Sequence, residues 1–344
     1  MDENLKAVKH SCHLGIDSLF KYTFGDDLKF FQIPAIFWVP DKNPLYKLCN
    51  PKRISISKDQ NWLTSVIFEV KKLHDTYDID LFIWDDYNNV SYKTLFNNVK
   101  QTLFYCHGHY LNDFSKNTIH KVFKDGWLKE HPLMIFPTLD KKESFATWYD
   151  LDEERCLVQP MAVYKHVLAE APSKKKNGKL LSMGNGIYDR ANLYPEHRDM
   201  SIDIIENLIK NYKDNFHIAG FNEHEEWKSN CIGFVEDVCS LKNYSIGIYP
   251  LGHRSPSVSL LETMALGIPC ITMPREGFGE EENGKSYFIA RNYLEFSAYI
   301  RKIKKDPRIA KSIGLNGREF INKNFSPDKW KENVLKFVGK FYEK

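Results

Sequence analysis

Residues 246–274 read IGIYPLGHRSPSVSLLETMALGIPCITMP, and their pattern decides the fold. Two short apolar runs, Ile246–Tyr249 and Cys270–Thr272, flank a segment with helical spacing. Ser255 followed by Pro256 predicts a helix start, a side-chain cap and then a proline where a missing N–H costs nothing. Gly267 and Pro269 predict its end. On such a helix Val258, Leu261 and Ala265 form an apolar stripe, while Ser255, Ser259 and Glu262 share another face. Strand, helix, strand is the unit of a parallel sheet, and it delivers the helix N-terminus to the sheet's carboxyl edge. Free N–H groups and the positive dipole end favour a phosphate there, and Glu262, two turns in, would reach hydroxyls such as a ribose diol. Taken alone, the segment is equally an amphipathic helix whose Glu262 meets solvent.

The same alternation runs outward in both directions. Apolar runs at 30–39, 81–84, 103–106, 133–136 and 156–158 precede it, and runs at 180–183 and 216–219 lie closer in. Between them fall amphipathic stretches such as Ile205, Leu208, Ile209 and Tyr212. The polar stretch 169–179, AEAPSKKKNGK, has the composition of a linker. A chain of 344 residues exceeds the size at which single cores stop growing. The expected organisation is an α/β domain over 1–168, a second over 178–325, and a C-terminal helix in 326–344 packing back toward the first. Residues 1–30 are the least legible.

Composition narrows the function. A net charge of +3 offers no general nucleic-acid footprint. Seven scattered cysteines, several in apolar runs, suit a reducing cytoplasm better than a disulfide scaffold. No apolar run of about 18 residues occurs, so no integral membrane contact is expected.

The run Leu260-Leu261-Glu262-Thr263-Met264-Ala265-Leu266-Gly267-Ile268-Pro269 resembles the donor-site signature of retaining GT-B glycosyltransferases, the group-1 superfamily that includes glycogen and sucrose synthases. Glu276-Gly277-Phe278-Gly279 through Glu282-Asn283-Gly284-Lys285-Ser286-Tyr287-Phe288 is similar to its glycine-containing loop and closing strand. The tail follows in order with Lys305-Asp306-Pro307-Arg308, Ile313-Gly314, Gly317-Arg318-Glu319-Phe320 and Asn324-Phe325-Ser326. The resemblance implies a GT-B fold, two Rossmann-like domains facing each other across a cleft, with the donor on the second.

It also implies roles. Glu262 matches the second glutamate of the E-x7-E pair, which holds the donor ribose; the first falls at Arg254, a departure. Gly184 and Asn185 stand where the family reads Gly-Arg, and Arg190 where it has lysine, so one of two diphosphate-binding cations is lost. Arg254 is the expected replacement, since guanidinium suits bidentate phosphate contacts. Ser255, Ser257 and Ser259 line the helix N-terminus. Gly233 and Phe234, with Gly220, resemble the turns around the nucleotide base. In the first half, residues 102–108 read TLFYCHG, an apolar run ending in His107, which matches a family histidine facing the donor sugar; His109 is second choice. His107, Arg190 and Glu262 are therefore the expected catalytic set.

Other constellations carry less. Asp85-Asp86 would be a metal-binding pair only if the diphosphate needed a metal. His10, Cys12 and His13 lack a fourth ligand. Gly184-x-Gly186 lacks a third glycine, and the basic stretch 116–129 reads as a solvated helix face. The expectation is a cytoplasmic, metal-independent, retaining hexosyl- or pentosyltransferase, bacterial or phage-encoded, using a UDP-linked sugar and no further cofactor. Its acceptor is a surface polysaccharide or lipopolysaccharide glycan; hydroxymethylated DNA is the alternative. An inactive sugar-nucleotide-binding module is the reading from another class.

Overall fold

The computed structural model describes residues 7–10, 14–32, 52–53, 72, 80–85, 101–106, 132–146, 151–184, 187, 195–220, 224–251 and 257–341. The chain divides into two compact units, Met1–Pro160 with Asp328–Lys344, and Met161–Pro327.

The first unit is built on strands β1 (Ala7–His10), β2 (Leu28–Gln32), β3 (Lys52–Arg53), β4 (Leu81–Asp85), β5 (Gln101–Tyr105), β6 (Pro132–Phe136) and β7 (Cys156–Val158). They form one sheet in the order β3-β2-β1-β4-β5-β6-β7, every pairing parallel. A parallel sheet is covered on both faces, so its strands read as continuous apolar runs, and Leu81, Ile83, Leu103 and Leu133–Ile135 are sealed from solvent. Of the expected run 30–39, the strand uses only Phe30, Phe31 and Gln32; residues 33–40 lie outside the described set.

Helices α1 (Leu14–Phe24) and α2 (Leu139–Ala146) cover this sheet together with the C-terminal helix, whose residues from Asp328 onward belong to this unit. Trp330 makes edge contacts with Phe20 at 5.9 Å and Tyr105 at 5.6 Å. Asn333 donates to the Gln159 side chain at 2.8 Å. Fully buried aromatic area of this kind dominates core energetics.

The second unit carries β8 (Leu180–Met183), β9 (Phe216–Ala219), β10 (Cys231–Gly233), β11 (Ile246–Tyr249), β12 (Cys270–Thr272) and β13 (Phe288–Ile289). Again all are parallel, in the order β10-β9-β8-β11-β12-β13. That is the doubly wound order, in which the chain works outward from β8 in one direction and then resumes at β11 in the other. Helices α3 (Lys165–Ala169), α4 (Pro195–Tyr212), α5 (Val258–Ala265), α6 (Tyr293–Lys305) and α7 (Pro307–Asn324) belong to this unit; α8 (Pro327–Gly339) continues into the first. Ile205 and Leu208 of α4 join Leu180, Ile218, Ile246 and Ile271 in one core, with Ile209 and Tyr212 at its margin. The polar segment 169–179 is tied to this unit, with Asn177 N–H donating to Asn243 O and Gly178 N–H to Ser245 Oγ.

Helix α7 starts as its sequence suggests. Asp306 accepts from Arg308 N–H at 2.9 Å and Pro307 occupies the first turn. The helix crosses the turn after α5 so closely that a Cβ on Gly314 would lie 2.4 Å from the carbonyl oxygen of Gly267. Gly267 itself has φ +70, the left-handed conformation that ends α5. Both partners at this crossing are main chain, so neither can swing away. Gly314→Ala should therefore destabilise the fold by about 1–3 kcal/mol despite the helix propensity it gains. Urea denaturation checks this, and an unchanged or raised midpoint contradicts the close crossing.

Candidate functional site

In an open doubly wound sheet, ligands bind outside the carboxyl ends of the strands where the order reverses. Here that point lies between β8 and β11. β8 ends at Met183, with Gly184 next in the chain, β11 ends at Tyr249, and α5 begins beside both.

Helix α5 starts two residues later than its sequence suggests. Ser257, not Ser255, is the N-cap, and its hydroxyl accepts from Leu260 N–H at 3.3 Å. Pro256 lies outside the described residues. The apolar face is also wider than the stripe Val258, Leu261, Ala265. Leu260, Leu261, Met264 and Ala265 are all fully buried, each leucine contributing about 1.5–3 kcal/mol.

Three contacts fix where this helix begins. Ser259 Oγ donates to Met183 O at 2.9 Å, joining the first turn to the end of β8. Tyr249 Oη donates to Ser259 O at 2.8 Å and lies 2.5 Å from Thr263 Oγ1. Gly247 lets the helix approach the sheet, since a Cβ there would sit 2.7 Å from Cys270 Sγ and 2.8 Å from Thr263 Cγ2. Ser257 and Ser259 thus both stand at the helix start, and both are engaged in building it.

Glu262 lies one turn further along α5, partly buried. Its carboxyl makes no hydrogen bond or ion pair with any described residue, and burial pushes it up to about 8. A partly sunken carboxyl with no partner costs free energy, and such groups concentrate at functional sites. Cys239 and Tyr249 are close enough to feel its charge.

The remaining donor-side residues spread along the same edge. Gly184 follows β8 and donates its N–H to Ala219 O at 3.0 Å. Gly233 ends β10 with φ +77 and accepts from Gly220 N–H, and Phe234 is exposed beside it. His107, Asn185, Arg190, Arg254 and Ser255 lie outside the described residues, as do His109, Asp86, Cys12, His13, Gly186 and the stretch 116–129.

Two features went unread in the sequence. The first is Arg275, three residues past β12 and only 8% exposed. Its Nη2 donates to Leu251 O at 2.9 Å and Tyr249 O at 3.4 Å, and Nε reaches Met273 O at 3.5 Å. A turn that closes with Phe278 N–H on Arg275 O, with Gly277 at φ +79, fixes its backbone. The second is the trio His166, Asp237 and Cys239, which brings one metal-ligand atom each within 4.8 Å. Asp237 also accepts from Cys239 N–H, capping the short helical turn Val238–Asn243. Residues 71 positions apart in the chain leave no local motif to find.

Because the Glu262 carboxyl holds its proton to a higher pH folded than unfolded, the folded chain binds more protons between the ordinary 4.5 and about 8. Stability should therefore fall as pH rises through that window. Glu262→Gln removes this dependence, so its stability should gain on the wild type's from pH 5 to pH 8.5. Chemical denaturation across that range measures it, and parallel curves for the two proteins contradict the shift.

No protein-family profile matches this chain, and no curated protein matches it. Solved structures do, over nearly its whole length. A glycosyltransferase from Rickettsia africae ESF-5 matches with 13% identity over 99% of this chain and 100% of its own, at TM-score 0.68. Anabaena HepE in complex with UDP-glucose matches with 10% identity over 98% and 100%, at 0.72. WaaG, a glycosyltransferase involved in lipopolysaccharide biosynthesis, matches with 12% identity over 95% and 98%, at 0.65. At such identities the likeness speaks for architecture, and with two all-parallel doubly wound sheets it gives a plain result: the chain has the GT-B fold of these glycosyltransferases.

Proposed function

We propose that the protein is a retaining glycosyltransferase that moves a hexose or pentose from a UDP-linked donor to a hydroxyl of a surface polysaccharide or lipopolysaccharide glycan. The observation that carries this reading is the Glu262 carboxyl, which has no partner among the described residues, on the helix that begins at the β8/β11 reversal. Its place along α5 matches the residue that holds the donor ribose in the family the sequence resembles. HepE, of the same fold, is solved with UDP-glucose, and WaaG supports a glycan acceptor.

In this mechanism the donor diphosphate lies at the N-terminus of α5, where the dipole favours negative charge. The bond between the anomeric carbon and the β-phosphate oxygen breaks, and its electron pair leaves with UDP. Arg190 and Arg254 supply fixed positive charge as the leaving oxygen becomes anionic. The acceptor hydroxyl forms the new bond on the face the phosphate left, and its proton passes to that phosphate. His107 contacts the donor sugar, Ser255 and Ser257 line the phosphate pocket, and Gly233 and Phe234 enclose the base. Gly184 and Asn185 border the sugar-diphosphate. Cations and the helix dipole serve in place of a metal.

Glu262→Ala should weaken UDP binding by about 1.5–3 kcal/mol, the scale of a hydrogen bond to a charged group, without unfolding the protein. Calorimetry measures the affinity, and an unchanged value overturns the ribose assignment. UDP release from a panel of UDP-sugars should persist in EDTA. Binding without any release or transfer would favour an inactive sugar-nucleotide-binding module. Loss in EDTA restored by manganese would assign a metal to the reaction, with Asp85-Asp86 or the His166 trio as the places to look.

A further inference from the structure

Arg275 is a buried cation without a counter-charge among the described residues. Its guanidinium meets only main-chain carbonyls, those of Tyr249, Leu251 and Met273, and no described carboxylate pairs with it. Those bonds use Nε and both hydrogens of Nη2. The two N–H groups of Nη1 donate to no described residue. Burial lowers the group to about 10, which still leaves it charged at neutral pH.

A lone charge taken out of water is costly, and partial carbonyl dipoles offset that less well than an anion does. Guanidinium presents a fork geometry suited to meeting a carboxylate or phosphate. The place is informative too. Arg275 grips the main chain at Leu251, the last described residue before the segment that leads into α5, and Arg254 stands three positions further on. It stands beyond the carboxyl end of β12, the strand beside β11, on the edge that carries Gly184 and the start of α5. Neighbouring parallel strands are about 4.8 Å apart, so this charge lies within one or two strands of the reversal point.

We propose that Arg275 is an anion-recognition residue of the donor site, its Nη1 hydrogens donating to an anionic oxygen of the bound sugar nucleotide. This rests on the glycosyltransferase reading above. The anionic oxygen has two sources, the diphosphate that every such donor carries or the carboxylate of a uronic-acid sugar, and the chemistry of recognition is the same for both. In either case Arg275 supplies a third fixed cation, in addition to Arg190 and Arg254, to a site whose sequence has lost one at Asn185.

The test is calorimetric titration of the full-length wild type, Arg275→Gln and Arg275→Lys with uridine, UDP, UDP-glucose and UDP-glucuronate. Melting curves first establish that each variant is folded; Arg275→Lys keeps the charge in a smaller group should Arg275→Gln fail to fold. Recognition of the diphosphate predicts that UDP and both sugar nucleotides lose about tenfold or more in affinity while uridine holds within about twofold. Recognition of a uronate predicts that loss for UDP-glucuronate alone. Arg275→Lys should fall between wild type and Arg275→Gln in whichever series responds. Affinities that are unchanged in all four titrations, or reduced equally for uridine and UDP, overturn the proposal, because a purely architectural arginine gives one of those two results. Wild-type protein that binds none of the four overturns the glycosyltransferase reading itself.

Discussion

The seating of helix α5 against the ends of β8 and β11 is the contact on which the rest of the site depends. A parallel sheet that reverses its strand order leaves a crevice at its carboxyl edge, but the crevice becomes useful only if a helix start is held there. Three small features do the holding: the missing side chain at Gly247, the Ser259 hydroxyl on the Met183 carbonyl, and the Tyr249 hydroxyl on the Ser259 carbonyl. None is a large energy. Each is geometric, and together they fix the first turn of α5 to two strands at once, while buried Leu260, Leu261 and Met264 supply the hydrophobic stabilisation.

Around that seat the protein keeps one acid and one base apart. Glu262 and Arg275 are both withdrawn from water, both lack an oppositely charged partner among the described residues, and neither pairs with the other. Proteins ordinarily remove such groups or pair them, because burial costs an ion such as Arg275 several kcal/mol, and a carboxyl such as Glu262 avoids that cost only by holding its proton. Keeping both is a cost that a ligand with hydroxyls at one end and negative charge at the other would offset. A nucleoside diphosphate sugar is such a ligand.

Much of this was legible in the sequence, for a physical reason. The strands Leu180–Met183, Phe216–Ala219, Ile246–Tyr249 and Cys270–Thr272 emerge from apolar runs alone, because strands buried on both faces need no alternation to betray them. β1 and β3 do not: AVKH and KR lack an apolar run, and main-chain pairing to β2 defines them. The cap falls at Ser257 and not Ser255: SPS offers two serines, and sequence alone does not distinguish which hydroxyl meets the Leu260 N–H. Arg275 carries no sequence signal, since Pro274 and Glu276 beside it have the composition of a surface turn. Its partners are carbonyl oxygens, which every residue has and no motif records.

The most direct measurement is a crystal structure of the protein with bound UDP. The nucleotide should lie at the carboxyl ends of β8 and β11, its ribose hydroxyls at about 2.6–3.0 Å from the Glu262 carboxyl oxygens and its phosphates at the first turn of α5. A nucleotide bound elsewhere, with Glu262 left without a ligand contact, would contradict it.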